Sequence, residues 1–221
     1  MSEVTVDAAP DALRVTIDGT TLEVAPGTTI LEAAQAAGRW IPTVCFDDRQ
    51  APFGACRVCM VAVEGSPRPL PACTTPCGNG MKVETEEPTA RRVARTVVEL
   101  VLSELPEPPA PHTELAQVAA GLGVGESRWP GAVHAVDEDL RHPYLALRHQ
   151  LCISCGRCVR ACDEVQGAFA LTATGRGFQS NVTAGLDAGF RNSTCVSCGA
   201  CADSCPTDAI TEINLLSLAT D

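Results

Sequence analysis

Residues 151–162 read LCISCGRCVRAC, and residues 194–206 read TCVSCGACADSCP. Each run spaces three cysteines two residues apart and adds a fourth three residues later: Cys152, Cys155, Cys158 and Cys162, then Cys195, Cys198, Cys201 and Cys205 before Pro206. Three thiolates at that spacing reach three corners of a [4Fe-4S] cubane, whereas the fourth points away along the following helix and ligates a second cluster. The expected ligand sets are therefore crossed: Cys152, Cys155, Cys158 and Cys205 for one cubane, Cys162, Cys195, Cys198 and Cys201 for the other. Gly156 and Gly199 fall where a side chain would crowd a cubane, although a turn alone would also favour glycine. Asp163, not proline, follows Cys162. The runs lie about forty residues apart, with a Gly-rich insertion at 175–189 between them, and read as an internal duplication within one domain.

Upstream, Cys45, Cys56, Cys59 and Cys73 are spaced C-x10-C-x2-C-x13-C. In a [2Fe-2S] site an x2 pair serves one iron while more distant residues close the other side. Zinc ligands come as two close pairs, which the long separations here do not provide. Gly54 and Ala55 permit a tight backbone whose N–H groups point at sulfur and raise the cluster potential. Cys77 is the thirteenth cysteine. It either replaces Cys73 as a ligand or is a thiol packed beside the cluster.

The surrounding pattern sets the fold class. Short β-branched segments at 13–17 and 20–24 flank Asp18-Gly19 as a hairpin. Thr28 or Thr29 caps a helix from about Ile30 to Gly38, and strands are expected near 58–63, 70–73 and 81–85. Two strands, a helix and further strands make a β-grasp order. A helix is expected over about 90–105, from the spacing of Val93, Val97, Val98, Leu100, Val101 and Leu105. Four prolines between Pro106 and Pro111 read as a rigid linker, followed by a short helix around 115–122. The class is thus α+β, with a [2Fe-2S] ferredoxin-like β-grasp domain over 1–87, a helix and degenerate linker over 88–142, and a two-[4Fe-4S] ferredoxin-type domain over 143–221.

Composition narrows the function. Aromatic residues are only 4% of the 221, thin filling for one large core, so small domains stabilised partly by metal are expected. The net charge of -11 leaves no concentrated basic surface for nucleic acid. No basic-plus-apolar leader opens the chain and no run of about twenty apolar residues occurs, so a reducing, cytoplasmic setting without a transmembrane segment is expected. The four histidines read as surface or packing residues. No G-x-G-x-x-G, G-x-S-x-G or H-E-x-x-H motif appears, so no catalytic residue is expected on this chain. An apolar tail at Ile213, Leu215, Leu216 and Leu218 is either a docking element or the end of the fold.

The segments CFDDRQAPFGACRVCMVAVEG and PACTTP resemble the [2Fe-2S] domain of the large iron–sulfur subunit of NADH dehydrogenase, of NAD-linked formate dehydrogenases and of bidirectional-hydrogenase diaphorases. The stretch from HPYLALRHQ through EVQG, GRGF and CVSCGAC to CPTDAI is most similar to the formate dehydrogenase alpha subunit. The resemblance covers about 190 residues. It implies the cluster ligands above and a relay between a pterin-containing catalytic subunit, carrying molybdenum or tungsten, and a flavin/NAD-binding iron–sulfur subunit. In that family a histidine and three cysteines hold a further [4Fe-4S] cluster between the domains; here 103–142 contains no cysteine, leaving His112 isolated. The family's pterin-binding region is also missing after Cys205, so the resemblance implies a catalytic site on another polypeptide. The alternatives are the diaphorase small subunit of an NAD-linked hydrogenase, and a free electron carrier or cluster-bearing sensor.

Overall fold

A computed structural model of the chain describes residues 11–134, 138–185 and 189–213. They divide into two compact units: the described residues up to Pro42 together with Arg57–Ala94, and Thr43–Cys56 together with the described residues from Arg95 onward. The boundary differs from a simple cut after residue 87. Segment 43–56 groups with the cysteine-run half because its polar side chains are bonded there, across more than a hundred residues of sequence.

In the first unit, β1 (Leu13–Ile17) and β2 (Thr20–Val24) form the expected hairpin, with Asp18 and Gly19 both at positive φ. Asp18 does a second job: its carboxylate accepts from the N–H and hydroxyl of Thr85. Helix α1 (Ile30–Ala36) starts at Thr29, whose hydroxyl accepts from the Glu32 N–H while the Glu32 carboxylate accepts from the Thr29 N–H. After α1 come β3 (Met60–Val63), β4 (Leu70–Pro71) and β5 (Met81–Glu84). The sheet order is β2-β1-β5-β3-β4, with β1 and β5 parallel and the other pairs antiparallel, which is a β-grasp sheet. Val15, Ile17, Ile30, Leu31, Val61 and Val83 are buried in its core. Helix α2 (Pro88–Leu102) follows, with its residues up to Ala94 counted in this unit; it starts and ends slightly earlier than its apolar spacing predicts, a difference of the size that frayed helix ends produce.

In the second unit, α3 (Glu114–Gly121) is capped by Thr113 and buries Leu115, Val118 and Ala119. Strands β6 (Leu145–Leu147) and β9 (Ile210–Glu212) pair antiparallel on either side of the two cysteine runs. Each run enters a four-residue helix, α4 (Arg157–Arg160) and α5 (Ala200–Asp203). The first helix widens into a π-turn over Ala161–Val165, which carries Cys162; the second stops before Pro206, where a further turn would clash. The start of the Gly-rich insertion is the turn of a hairpin, which joins β7 (Leu171–Thr174), just before it, to β8 (Asn181–Ala184) within it. Leu145, Leu147, Leu171, Val182, Phe190 and Ile210 form one apolar cluster together with Cys158, Cys162 and Cys201. Ile213 extends the β6–β9 pairing by donating its N–H to Tyr144, while Leu215, Leu216 and Leu218 lie outside the described residues.

Candidate functional site

The two helical turns aim their cysteines inward because each begins on a glycine in the left-handed region, Gly156 at φ 80° and Gly199 at φ 78°. Two residues earlier the backbone is left-handed again, at Ser154 (φ 52°) and Ser197 (φ 59°), so the loop between the first two cysteines of each run is a tight coil in both copies. Such coils turn successive N–H groups to one side, where they bond to thiolate or sulfide.

A cavity of about 340 Å³, partly open to solvent, is lined by Cys152, Cys155, Cys158 and Cys205, with Leu147, Val182 and Ile210 among its apolar walls. A second, of about 300 Å³, is lined by Cys162, Cys195, Cys198 and Cys201, with Leu145, Leu171 and Phe190. Each cavity takes three cysteines from one run and the fourth from the other. Backbone N–H groups reach the sulfurs from Ile210 to Cys205 (3.5 Å), Ala170 to Cys162 (3.2 Å) and Ser197 to Cys195 (3.4 Å). Among the described residues no group of three or more such side chains is drawn in closely enough to clasp a single ion; the thiols stand around a volume.

Burial decides the protonation of these thiols. It pushes Cys155 and Cys201 up to about 12, Cys152 upward, and Cys158 well above the ordinary range, with neighbouring thiols adding to the effect. A metal centre bound here must displace protons and supply positive charge to an apolar chamber. The donor set of four sulfurs, apolar walls and inward N–H groups fits an iron–sulfur cluster, which needs thiolates and amide dipoles and little else.

The upstream cysteines sit in a different medium. On segment 43–56, the Cys56 N–H donates to the Cys45 sulfur at 3.4 Å. The Cys56 side chain, then the N–H groups of Cys56 and Ala55, bring the Cys45 thiol down to about 6 against the opposing effect of burial. Gly54 at φ 67° and Arg57 at φ 62° make the tight backbone that turns those amides inward, as the Gly54-Ala55 pair suggests. Cys59 and Cys73 belong to the first unit and are buried there, with the Cys59 carbonyl accepting from Ala72 N–H at 2.9 Å. Cys77 is also buried in that unit, and burial followed by the Glu32 charge pushes its thiol up.

The histidines have structural partners. His142 is buried, and its Nδ1 accepts from the N–H groups of Tyr144 and Leu145, so Nε2 carries the proton and faces Ser197 Oγ at 3.3 Å. His149 lies 3.0 Å from the Val182 carbonyl, His134 stacks on Phe178, and exposed His112 pairs with Asp208 at 2.6 Å. Sequence reasoning missed the ring of polar residues around the first run: Asp47, Gln50, Glu114, Arg157 and Ser204 bond one another there. Their visible signals are that Arg157 stands where the second run has Ala200, and Ser204 where the first run has Ala161.

Comparison with known proteins agrees with this geometry. Residues 11–88 match the 2Fe-2S iron–sulfur cluster binding domain and residues 151–209 the 4Fe-4S dicluster domain. A subunit of the NADH-quinone oxidoreductase of Rhizobium meliloti is 36% identical over 178 residues, covering 77% of this chain and 21% of that protein. The NADP-reducing hydrogenase subunit HndD of Solidesulfovibrio fructosivorans is 33% identical over 210 residues, covering 90% of this chain and 36% of that protein. The chain thus spans about a fifth to just over a third of these curated relatives. A chain in the crystal structure of an NAD+-reducing [NiFe]-hydrogenase in the H2-reduced state superposes with a TM-score of 0.79 at 32% identity, over 90% of this chain and 87% of that one. Among the described residues no helix is long and apolar enough to cross a membrane. The cysteine chambers, the two matching domains and the near end-to-end likeness to the hydrogenase chain together place this protein in the family of iron–sulfur electron-transfer subunits that includes that chain and the cysteine-bearing region of the NADH-quinone oxidoreductase relative.

Proposed function

We propose that this chain is an electron-relay subunit of a cytoplasmic, NAD-linked, multi-subunit oxidoreductase. It holds a [2Fe-2S] cluster on Cys45, Cys56, Cys59 and Cys73, one [4Fe-4S] cluster on Cys152, Cys155, Cys158 and Cys205, and a second on Cys162, Cys195, Cys198 and Cys201. The observation that carries the reading is the pair of sulfur-lined chambers, each completed by the last cysteine of the opposite run. Once bound, the clusters supply one-electron redox chemistry. The chain's own residues hold the sulfurs apart, keep water from them with Leu147, Val182, Leu171 and Phe190, and direct N–H dipoles at them, which favours the reduced state. Cys77 is a packed thiol beside the first set.

One partner is a flavin/NAD-binding iron–sulfur subunit. Two readings of the catalytic partner have separate support. The likeness of 142–210 to formate dehydrogenase alpha subunits favours a pterin-containing subunit; the match over 87% of a hydrogenase chain favours a nickel–iron subunit, with this chain as its diaphorase small subunit. Anaerobic purification of the native assembly followed by metal and cofactor analysis decides. Molybdenum or tungsten with pterin establishes the formate version, and nickel the hydrogenase version. A stable monomer without any larger chain contradicts the subunit reading and leaves a free carrier or sensor.

A further inference from the structure

The two cysteine runs differ at the very positions that touch segment 43–56. Arg157 occupies the place of Ala200, and Ser204 the place of Ala161. Arg157 immediately precedes Cys158 and Ser204 immediately precedes Cys205, two cysteines of the same chamber.

Arg157 is 4% exposed, Asp47 and Gln50 6%, and Ser204 not at all. The Arg157 guanidinium donates to the Val44 carbonyl (3.3 Å), to both Glu114 oxygens (2.6 and 3.0 Å) and to Asp47 (3.4 Å). Ser204 donates to Asp47 at 2.8 Å and accepts from Gln50 Nε2 at 3.0 Å, which also donates to the Arg157 carbonyl at 3.0 Å. Farther along, the Ala51 N–H donates to Glu164 at 2.9 Å, Arg160 donates to the Ala51 carbonyl, and the Arg160 guanidinium lies over the Phe53 ring. Val44 adjoins Cys45, so a single hydrogen bond joins the residue before Cys45 to the residue before Cys158.

A buried ion pair such as Arg157–Asp47 is a poor way to gain stability, because desolvation offsets most of the attraction and an apolar packing would serve as well. Nor does a cubane loop require it, since the second run turns with alanine at the same place. We propose that Arg157, with Asp47, Gln50 and Ser204, is a positioning device that clamps the Cys45/Cys56 segment onto the Cys158 and Cys205 loops. The clamp holds the two ligands of the [2Fe-2S] site that this segment carries, Cys45 and Cys56, in a fixed place relative to the Cys152/Cys155/Cys158/Cys205 cubane. This rests on the ligand reading above.

The test uses the full chain loaded anaerobically with iron and sulfide, and compares wild type with Arg157→Ala, which copies the second run. Three quantities are read: iron and sulfide content, amide hydrogen exchange over residues 44–56, and the relaxation enhancement that a reduced cubane imposes on the [2Fe-2S] EPR signal. The expected result is unchanged iron content, exchange over 44–56 faster by roughly tenfold or more, and weakened relaxation enhancement, with Arg157→Lys recovering part of both. Unchanged exchange and unchanged relaxation overturn the proposal. If Arg157→Ala fails to load, Gln50→Leu, which removes two of the clamp bonds and no charge, decides by the same two readings. Wild-type chain that binds no iron defeats the ligand reading instead; exchange in the metal-free chain then still tests the clamp.

Discussion

The two cysteine runs are near copies in spacing and in backbone, down to the paired left-handed serines and glycines, yet they occupy different surroundings. In the first, Arg157, between Cys155 and Cys158 in sequence, is ion-paired to Asp47 and Glu114. In the second, the corresponding residues are Ala200 and a solvent-exposed Cys198, and the polar contacts are the Ser193 hydroxyl accepting from the Cys195 N–H and His142 beside Ser197. Shared spacing therefore explains what each run can ligate, while the residues between the cysteines explain what each run touches. The first copy is bonded to the segment that carries Cys45 and Cys56; the second leaves Cys198 facing solvent.

The strongest way to break this comparison is to exchange its crossed ligands. Cys162→Ser sits in the first run but should remove the cubane of the second, and Cys205→Ser should do the reverse. Each variant should lose roughly four iron atoms per chain, and the EPR signal that survives should be the one belonging to the run that carries the mutation. Uncrossed loss would mean that each run serves its own cluster.

Next in size is Phe190→Ala. The ring is 1% exposed, walls the second chamber and stands edge-on to His142. Its removal should cost about 3–5 kcal/mol, read as a lower urea midpoint, and should leave the second cubane more easily lost to chelators than the first.

Asp139 supports the same chamber from behind. Its carboxylate accepts from the Arg141 side chain, the Arg141 N–H and the Phe190 N–H. The Arg141 side chain first, and those amides after it, hold its pKa at about 2. A depressed carboxylate stabilises the fold fully above the unfolded value near ~3.9 and stops doing so as pH falls through the folded one. Asp139→Asn should therefore lose about 1–3 kcal/mol at neutral pH. The gap between variant and wild type, followed by urea unfolding, should hold steady down to about pH 5 and close only below about pH 4.

The smallest effect separates the two glycines. Alanine at either position must adopt a left-handed backbone, costing about 1–2 kcal/mol. At Gly156 the added methyl meets nothing nearer than Phe53 at 3.9 Å; at Gly199 it comes within 2.9 Å of the Glu212 carboxylate. Gly199→Ala should melt slightly lower than Gly156→Ala, and Glu212→Ala should remove the difference.

Much of this was legible in the sequence, for reasons that differ by element. Cluster spacing is local and chemically demanding, so counts between residues pointed to the two iron–sulfur domains and to the crossed grouping of cysteines around the two chambers. The β1–β2 hairpin and α1 carried strong turn and cap signals at Asp18-Gly19 and Thr29. Strands β6, β7, β8 and β9 did not, because three or four residues are too few for a period to show; 175–189 reads as a Gly-rich insertion although 175–180 turns β7 into β8. The bonds around Arg157 left no trace beyond the Arg157/Ala200 and Ser204/Ala161 differences, for another reason. Asp47 and Ser204 are separated by 157 positions, and no local pattern relates them.

Iron and acid-labile sulfide, counted on the anaerobically purified chain, test the central claim most directly. The account predicts about ten of each per polypeptide, two from the [2Fe-2S] site and four from each cubane. A colourless protein with zinc in place of iron and no labile sulfide would contradict it.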